Sequence, residues 1–184
     1  MPTSHEFKLM EPQPLHIKIR PETILDTDAI AKVNQLAFGQ ENEALLVERI
    51  RQSDRFIPAL SLVAEIDGEV VGHILFSYVD LVSEEKLPVL ALAPLAVHPQ
   101  FQRQGIGSQL VEAGVAIADT MQEPLAIVLG HPAFYTRFGF KRSVLYGIKP
   151  PFSAPEEAFM IKPLQQYQTV YQGIVAYPPA FDGV

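Results

Sequence analysis

The sequence predicts a single α/β domain. Three observations carry this. Segments with strand and helix patterning alternate along most of the 184 residues, no shift in composition marks a second domain, and an Asp67-Gly68 turn joins two β-rich runs in the manner of a tight hairpin. Residues 1–14 read as a polar, proline-containing tail, and residues 15–184 as the domain.

The elements follow in order. Leu15 to Arg20 alternates and predicts a first strand. Residues 25–38, LDTDAIAKVNQLAF, predict a helix capped by Asp26 or Thr27, with Ile30, Val33, Leu36 and Ala37 on its apolar face. NEALLVERIRQS predicts a second helix. The hairpin spans Ser61 to Val82. A third strand, PVLALAPLAV, is interrupted by Pro94, which cannot donate to a ladder and so predicts a bulge or splay. The stretch VHPQFQRQGIGSQLVEAG then leads from that strand into a helix starting at Gln104 or Gly105, with Ile106, Leu110, Ala113, Gly114 and Ile117 at helical spacing. PLAIVLG is a short apolar strand, PAFYTRF a short helix closed by Gly139, and GFKRSVLYGI a return to strand. From Pro150 the chain is proline-rich, with a late β-like segment in TVYQGIVAY.

Composition narrows the chemistry. Hydrophobic residues make up 48% and charged residues 19%, as in a folded protein rather than a disordered one. Cysteine is absent, which removes disulfides, thiolate metal sites and a cysteine nucleophile. The five histidines show no ligand-like spacing, so no metal is expected. A net charge of -7 argues against nucleic acid and leans toward cationic acceptors. No apolar run reaches membrane-spanning length and the amino-terminal residues lack a signal-peptide core, so a soluble, cytoplasmic protein without membrane partners is the expectation.

The glycines at 105 and 107 stand where a helix begins. The first N–H groups of a helix have no intrahelical partners, and the helix dipole places partial positive charge there. Glycine lets an anion approach without meeting a Cβ, so the stretch reads as a phosphate site, although such glycines also serve simple turns. It is neither of two familiar phosphate loops. A Walker loop ends in Gly-Lys-Ser/Thr, and here the run is Gly-Ile-Gly-Ser. A dinucleotide fingerprint needs a third glycine where Leu110 stands.

LAPLAVHPQFQRQGIGSQLVEAG resembles the acyl-CoA signature of the GCN5-related N-acetyltransferases (GNAT), with Gln102-Arg103-Gln104-Gly105-Ile106-Gly107 as the Gln/Arg-x-x-Gly-x-Gly core after Leu95-Ala96-Val97. Downstream, FYTRFGF is similar to the family's Tyr-x-x-x-Gly-Phe, with Tyr135, Gly139 and Phe140. LGHPAFYTRFGF and AYPPAF are similar to the YhbS-like branch. The resemblance spans roughly Leu15 to Ile148. It implies a twisted, mostly antiparallel mixed sheet flanked by helices, with central strands at Leu95 and Val128 splayed apart. It implies acetyl-CoA as cosubstrate, its pyrophosphate on the amides from Arg103 to Ser108, chiefly Gln104, Gly105, Gly107 and Ser108, with Ile106 between them. The pantetheine arm would lie along Leu95, Ala96 and Val97.

The activity it implies is acetyl transfer to a primary amine, on a small molecule or a protein, by direct attack in a ternary complex. Tyr135 is then the acid for the leaving sulfur, the Val97 N–H polarises the carbonyl, and His131 is the first candidate base. Core packing is the rival role for Tyr135, and helix capping for His131. His98 reads as a loop-shaping residue, His73 as a packed sheet residue, and Asp80 and Glu84 as either substrate-facing or ordinary solvated charges. A non-catalytic acyl-CoA-binding module is the alternative function. Dimers are common among such proteins, so a homodimer is the expectation that association carries. The acceptor pocket is expected from residues 34–50 and the tail after Ile148.

Overall fold

The computed structural model describes residues 15–184; the expected tail at 1–14 lies outside them. A nine-stranded sheet has the path β1-β2-β3-β4-β5-β8-β6, with β9 pairing β3 and β7. Its strands are β1 (Lys18–Pro21), β2 (Phe56–Ile66), β3 (Glu69–Val82), β4 (Lys86–Val97), β5 (Leu125–Leu129), β6 (Lys141–Arg142), β7 (Ile148–Lys149), β8 (Phe159–Pro163) and β9 (Gly173–Ala176). Pairing is antiparallel except β4 with β5 and β7 with β9. The helices are α1 (Thr27–Phe38), α2 (Asn42–Arg51), α3 (Ile106–Thr120) and α4 (Pro132–Tyr135).

Strand alternation assigns the two faces of the sheet. Leu62, Ala64, Ile74, Phe76, Leu90 and Val128 pack with Ile106, Leu110 and Val111 of α3. Val63 and Leu75 point the other way, onto Ile30 of α1 and Leu46, Val47 and Ile50 of α2. Beyond the helices that second face is covered by the carboxy-terminal chain, where Tyr167, Tyr171, Tyr177 and Phe181 pack over Val79, Ala91, Ile127, Phe159 and Ile161. Each fully buried aliphatic side chain contributes about 1.5–3 kcal/mol.

The hairpin turns at Asp67 and Gly68 with φ 51° and 84°, the two positive values a type I′ turn requires. β4 is irregular where Pro94 predicts it. The β3–β4 register shifts between Ile74 and Phe76, and the Ala93–Pro94 peptide is cis. β4 meets β5 only at Leu90↔Ala126 and Ala91↔Ile127. Past Ala91 the two strands share no further pairs, which leaves a gap between their ends.

Five expectations need correction. β1 starts at Lys18 rather than Leu15 and ends on Pro21; it is an edge strand, where proline is tolerated. The Asp26 carboxylate does not cap α1. It accepts from Thr23 N (2.7 Å) and from both terminal nitrogens of Arg20 (2.7 and 2.9 Å), so it locks the preceding 3-10 turn. Leu36 is exposed and Asn34 takes the buried place in α1. GFKRSVLYGI is not one strand: β6 and β7 flank a 3-10 turn at Ser143–Tyr146, because after two residues beside β8 the chain must cross to β9. Finally, β8 emerges from the proline-rich tail as a buried strand against β5.

A polar network ties the α1–α2 face to the sheet. His73 is fully buried, with its Nε2 3.0 Å from Ser61 Oγ and its Nδ1 3.3 Å from Asn34 Nδ2. Ser61 donates to Glu22 at 2.6 Å, so the ring reaches the carboxylate through the hydroxyl, at a direct separation of 3.7 Å. Arg51 donates to the same carboxylate at 2.8 Å. Burial opposes ionisation of Glu22, but the nearby His73 ring and the bonds from Arg51 and Ser61 outweigh it and bring its pKa down to about 2. Burial pushes the His73 pKa down, against the pull of Glu22.

Candidate active site at the splayed strands

The site begins where β4 ends. Hydrogen-bonded and non-bonded positions alternate along an antiparallel pair. His98 N donates to Val71 O at 2.8 Å, and the register pairs His73 with Ala96 and Gly72 with Val97. Ala96 therefore turns its backbone to β3, and its side chain is buried. Leu95 and Val97 turn theirs into the gap. Of the three residues expected along the cofactor arm, these two turn their backbone groups away from β3. Gln102 Nε2 donates to Val97 O at 3.0 Å.

A loop through the 3-10 turn Pro99–Phe101 leads to α3. His98 shapes it, its Nδ1 accepting from Gln100 N at 3.2 Å. Arg103 and Gly105 both take positive φ, 61° and 85°. Gly105 is the N-cap residue and offers no side-chain cap. The first bond of the helix runs from Gln109 N to Gly105 O at 3.0 Å. The N–H groups of Ile106, Gly107 and Ser108 therefore have no intrahelical partner. None of the described side chains accepts from them either. A Cβ on Gly107 would lie 3.6 Å from Phe134 and 3.8 Å from Val97, so its glycine is not required by packing within the protein. Ile106 contributes its N–H while its side chain sits in the core. Arg103 is exposed and has no carboxylate within 4.0 Å among the described residues.

Across the gap stands α4. Tyr135 is 8% exposed, its ring edge-on to Phe134 (4.9 Å) and Phe140 (5.5 Å) and pressed against Gly130, where a Cβ would lie 2.4 Å from it. No hydrogen bond to its hydroxyl is present among the described residues, and burial raises its pKa to about 12. The phenol is thus a neutral donor in a site of low polarity. His131 is exposed at the start of α4; its carbonyl accepts from Phe134 and Tyr135, and its ring makes no bond to Tyr135. His73 is sealed in the core, Asp80 is paired with Arg55 at 2.9 Å, and Glu84 lies exposed in the β3–β4 turn.

Arg137 is the residue that motif reading passed over. It follows Tyr135 by two positions and donates to Ser108 Oγ at 3.2 Å, which brings a second cation to the start of α3. Its guanidinium lies 4.9 Å from the Phe134 ring centroid. The signal was its place inside Tyr-x-x-x-Gly-Phe, but only the fold shows that α4 returns to the first turn of α3. No cluster of three His, Asp or Glu side chains arranged for a metal occurs among the described residues, and no described helix is long and apolar enough to cross a membrane.

Comparison with known proteins bears on this geometry. The family profile of the acetyltransferase (GNAT) domain matches residues 58–142. The uncharacterized N-acetyltransferase YjhQ of Escherichia coli (strain K12) is 38% identical over 72% of this chain and 74% of its own. The crystal structure of the GNAT family N-acetyltransferase YhbS of Escherichia coli, in complex with CoA, superposes with a TM-score of 0.84 at 31% identity, covering 94% of this chain and 95% of that one. A GNAT family acetyltransferase of Brucella melitensis in complex with acetyl-CoA gives a TM-score of 0.75 at 32% identity over 91% and 99%.

Proposed function

The chain belongs to the GNAT family of acetyl-CoA-dependent acyltransferases, and from that premise we propose that it acetylates a primary amine by direct attack, with acetyl-CoA and acceptor bound together. The observation that carries the reading is the row of unpartnered N–H groups at the start of α3, flanked by Arg103 and opening onto the gap beside Leu95 and Val97. The fold match to proteins crystallised with CoA and acetyl-CoA supports it.

In this reading the amides of Gln104 to Ser108 hold the diphosphate. The backbone of Leu95 and Val97 takes the place of a missing strand partner for the pantetheine arm. Bound acetyl-CoA supplies a thioester carbonyl for the acceptor nitrogen. The Val97 N–H, aimed into the gap, stabilises negative charge on that oxygen. As the N–C bond forms and the C–S bond breaks, the Tyr135 hydroxyl gives its proton to the departing sulfur. An alkylammonium of ordinary pKa about 10 must first lose a proton, and His131, exposed at the head of α4, is the candidate base that takes it, directly or through water. The acceptor is a small-molecule or protein amine, and the net charge of -7 favours a cationic one.

The test is release of CoA thiol from acetyl-CoA across a panel of amines, beside calorimetric binding. Amine-dependent release supports the transferase. Tight binding with no release by any amine would favour a cofactor-binding module instead. If anionic amines were the best acceptors, the inference from charge fails.

A further inference from the structure

A gap between two strands opens to both faces of a sheet. One mouth lies on the α3 face, with the amide row and Tyr135. The other lies on the face that carries α1, α2 and the carboxy-terminal chain. Strand alternation says which side chains border this second mouth. On β5, Ala126 and Val128 face α3 and Ile127 faces the other way. Leu129 therefore falls on the side of Ile127, where it is 49% exposed. On β4, Leu90 and Leu92 face α3 and Ala91 the other way. Ala93 falls with Ala91 and packs against the α1–α2 cluster.

The second mouth is walled by rings. Phe159 of β8 stands opposite Leu129 in the register. From there a run of aromatic contacts crosses the face. Phe152 meets Phe159 edge-on at 6.2 Å and stacks on Tyr177 at 6.0 Å, and Tyr177 meets Phe181 at 4.9 Å. Phe181 packs against both buried clusters of this face, the one that holds Ala91 and Ile127 and the one that Ala93 joins. The chain carrying it is fastened to α2: Arg49 donates to Asp182 O at 2.8 Å and Asn42 to Gly183 O at 3.3 Å. The Tyr177 hydroxyl has no hydrogen bond among the described residues, and burial pushes its pKa up to about 12, so the wall is uncharged. Phe152, on the loop between β7 and β8, keeps 44% of its surface exposed. Packing within the protein leaves much of that ring free.

We propose that the second mouth admits the acceptor and selects a primary monoamine carried on an aromatic body, with Phe152 and Leu129 as the residues that read the body. The inference rests on the acetyl-transfer reading above. With the cofactor in the α3-face mouth, a nitrogen that attacks its thioester arrives through the other. Net charge alone favours a polyamine at least as much as a monoamine. The wall separates them. A second ammonium would have to exchange water for rings and aliphatic side chains, whereas an aryl group gains edge or stacked contact with Phe152. Phe152 and Leu129 set specificity in this account and take no part in the chemistry.

Thiol release from saturating acetyl-CoA with 2-phenylethylamine, ethylamine and spermidine tests it, in wild type, Phe152→Ala and Phe152→Tyr. Wild type should favour 2-phenylethylamine over the other two by about 10-fold or more in kcat/KM, the scale of one added aromatic contact. Phe152→Ala should lower kcat/KM for 2-phenylethylamine by about 5-fold or more, through KM, and leave ethylamine and the calorimetric affinity for acetyl-CoA nearly unchanged. Phe152→Tyr should keep the preference. Equal or better use of spermidine by wild type would overturn the inference but leave the transferase reading standing. Equal losses for 2-phenylethylamine and ethylamine in Phe152→Ala would also overturn it, making the ring a packing residue of the tail. If acetyl-CoA bound and no amine released thiol, the acetyl-transfer reading itself would fall, and the inference with it.

Discussion

The two faces of the sheet treat their polar groups in opposite ways. On the α1–α2 face nearly every buried polar group has a partner: Arg20 holds Asp26 and Glu65, Arg51 holds Glu22 and Glu48, and Ser61 and Asn34 flank the His73 ring. At the α3–α4 end the start of a 15-residue helix has no side-chain cap, and among the described residues the Tyr135 hydroxyl has no partner and Arg103 and Arg137 have no carboxylate within 4.0 Å. Partnered groups hold the fold together. Unpartnered ones, whether exposed like the guanidinium of Arg103 or lining the site like the Tyr135 hydroxyl, are groups a ligand can take over without breaking a bond the fold depends on.

The comparison breaks first at Gly107. Gly107→Asp places a carboxylate beside the amide row, and like-charge repulsion of several kcal/mol should weaken acetyl-CoA binding by about 100-fold or more. The thermal midpoint should stay close to wild type, since the added Cβ meets only ordinary contacts. Calorimetry and a melting curve check both halves; unchanged affinity would remove the amide row from the site.

Tyr135→Phe comes next. As general acid the hydroxyl should be worth about 100-fold in kcat, with little change in acetyl-CoA affinity, because the ring and its packing remain. With the Tyr135 pKa pushed up to about 12, the wild-type rate should rise as the acceptor amine deprotonates and show no falling limb below about pH 10. A kcat unaltered by the substitution would make Tyr135 a core residue only.

Gly105 sharpens the contrast from the side of stability. With φ at 85° and open space around it, Gly105→Ala should cost about 1–2 kcal/mol through backbone strain alone, seen as a lower urea midpoint. No such loss would mean the loop relaxes freely. Arg103→Ala, at an exposed position, should weaken acetyl-CoA by about 3-fold at low salt and less at high salt. A larger, salt-independent loss would place Arg103 in direct contact with the ligand.

The opposite face answers to pH. The unfolded chain protonates His73 near its ordinary value of 6.5 while the folded chain resists, so stability from this group is full above that value and falls as the pH drops below it. Glu22, depressed from 4.5 to about 2, and Asp26, held low chiefly by its bond from Arg20, contribute stability present above the ordinary carboxyl range and lost through the interval down to about pH 2. The melting temperature should begin to fall below pH 6.5 and steepen below 4.5. His73→Gln should flatten the first phase; an unchanged profile would show that the network does not govern acid stability.

The parts legible in the sequence are those set by local chemistry. Asp67-Gly68 requires its turn, Pro94 interrupts its strand, and the glycines on either side of Ile106 mark a helix start whose donors are bare. What escaped depends on distant partners. The strand Phe159–Pro163 has an apolar run of only three residues beside prolines, and becomes a strand because β5 offers it an edge. Buried Asn34 reads as polar until His73 is found across from it. Arg137 reads as a solvated charge until the chain brings Ser108 to it. The packing of Ala93 of β4, the α1–α2 pair and Phe181 of the tail has no contiguous signal, since these residues meet only in the fold.

The most direct measurement is a crystal structure with CoA. The account predicts diphosphate oxygens at about 2.7–3.2 Å from the backbone nitrogens of Gly105, Gly107 and Ser108, with the thiol end in the gap beside Val97 and Tyr135. A diphosphate bound elsewhere, with those nitrogens still bare, would contradict it.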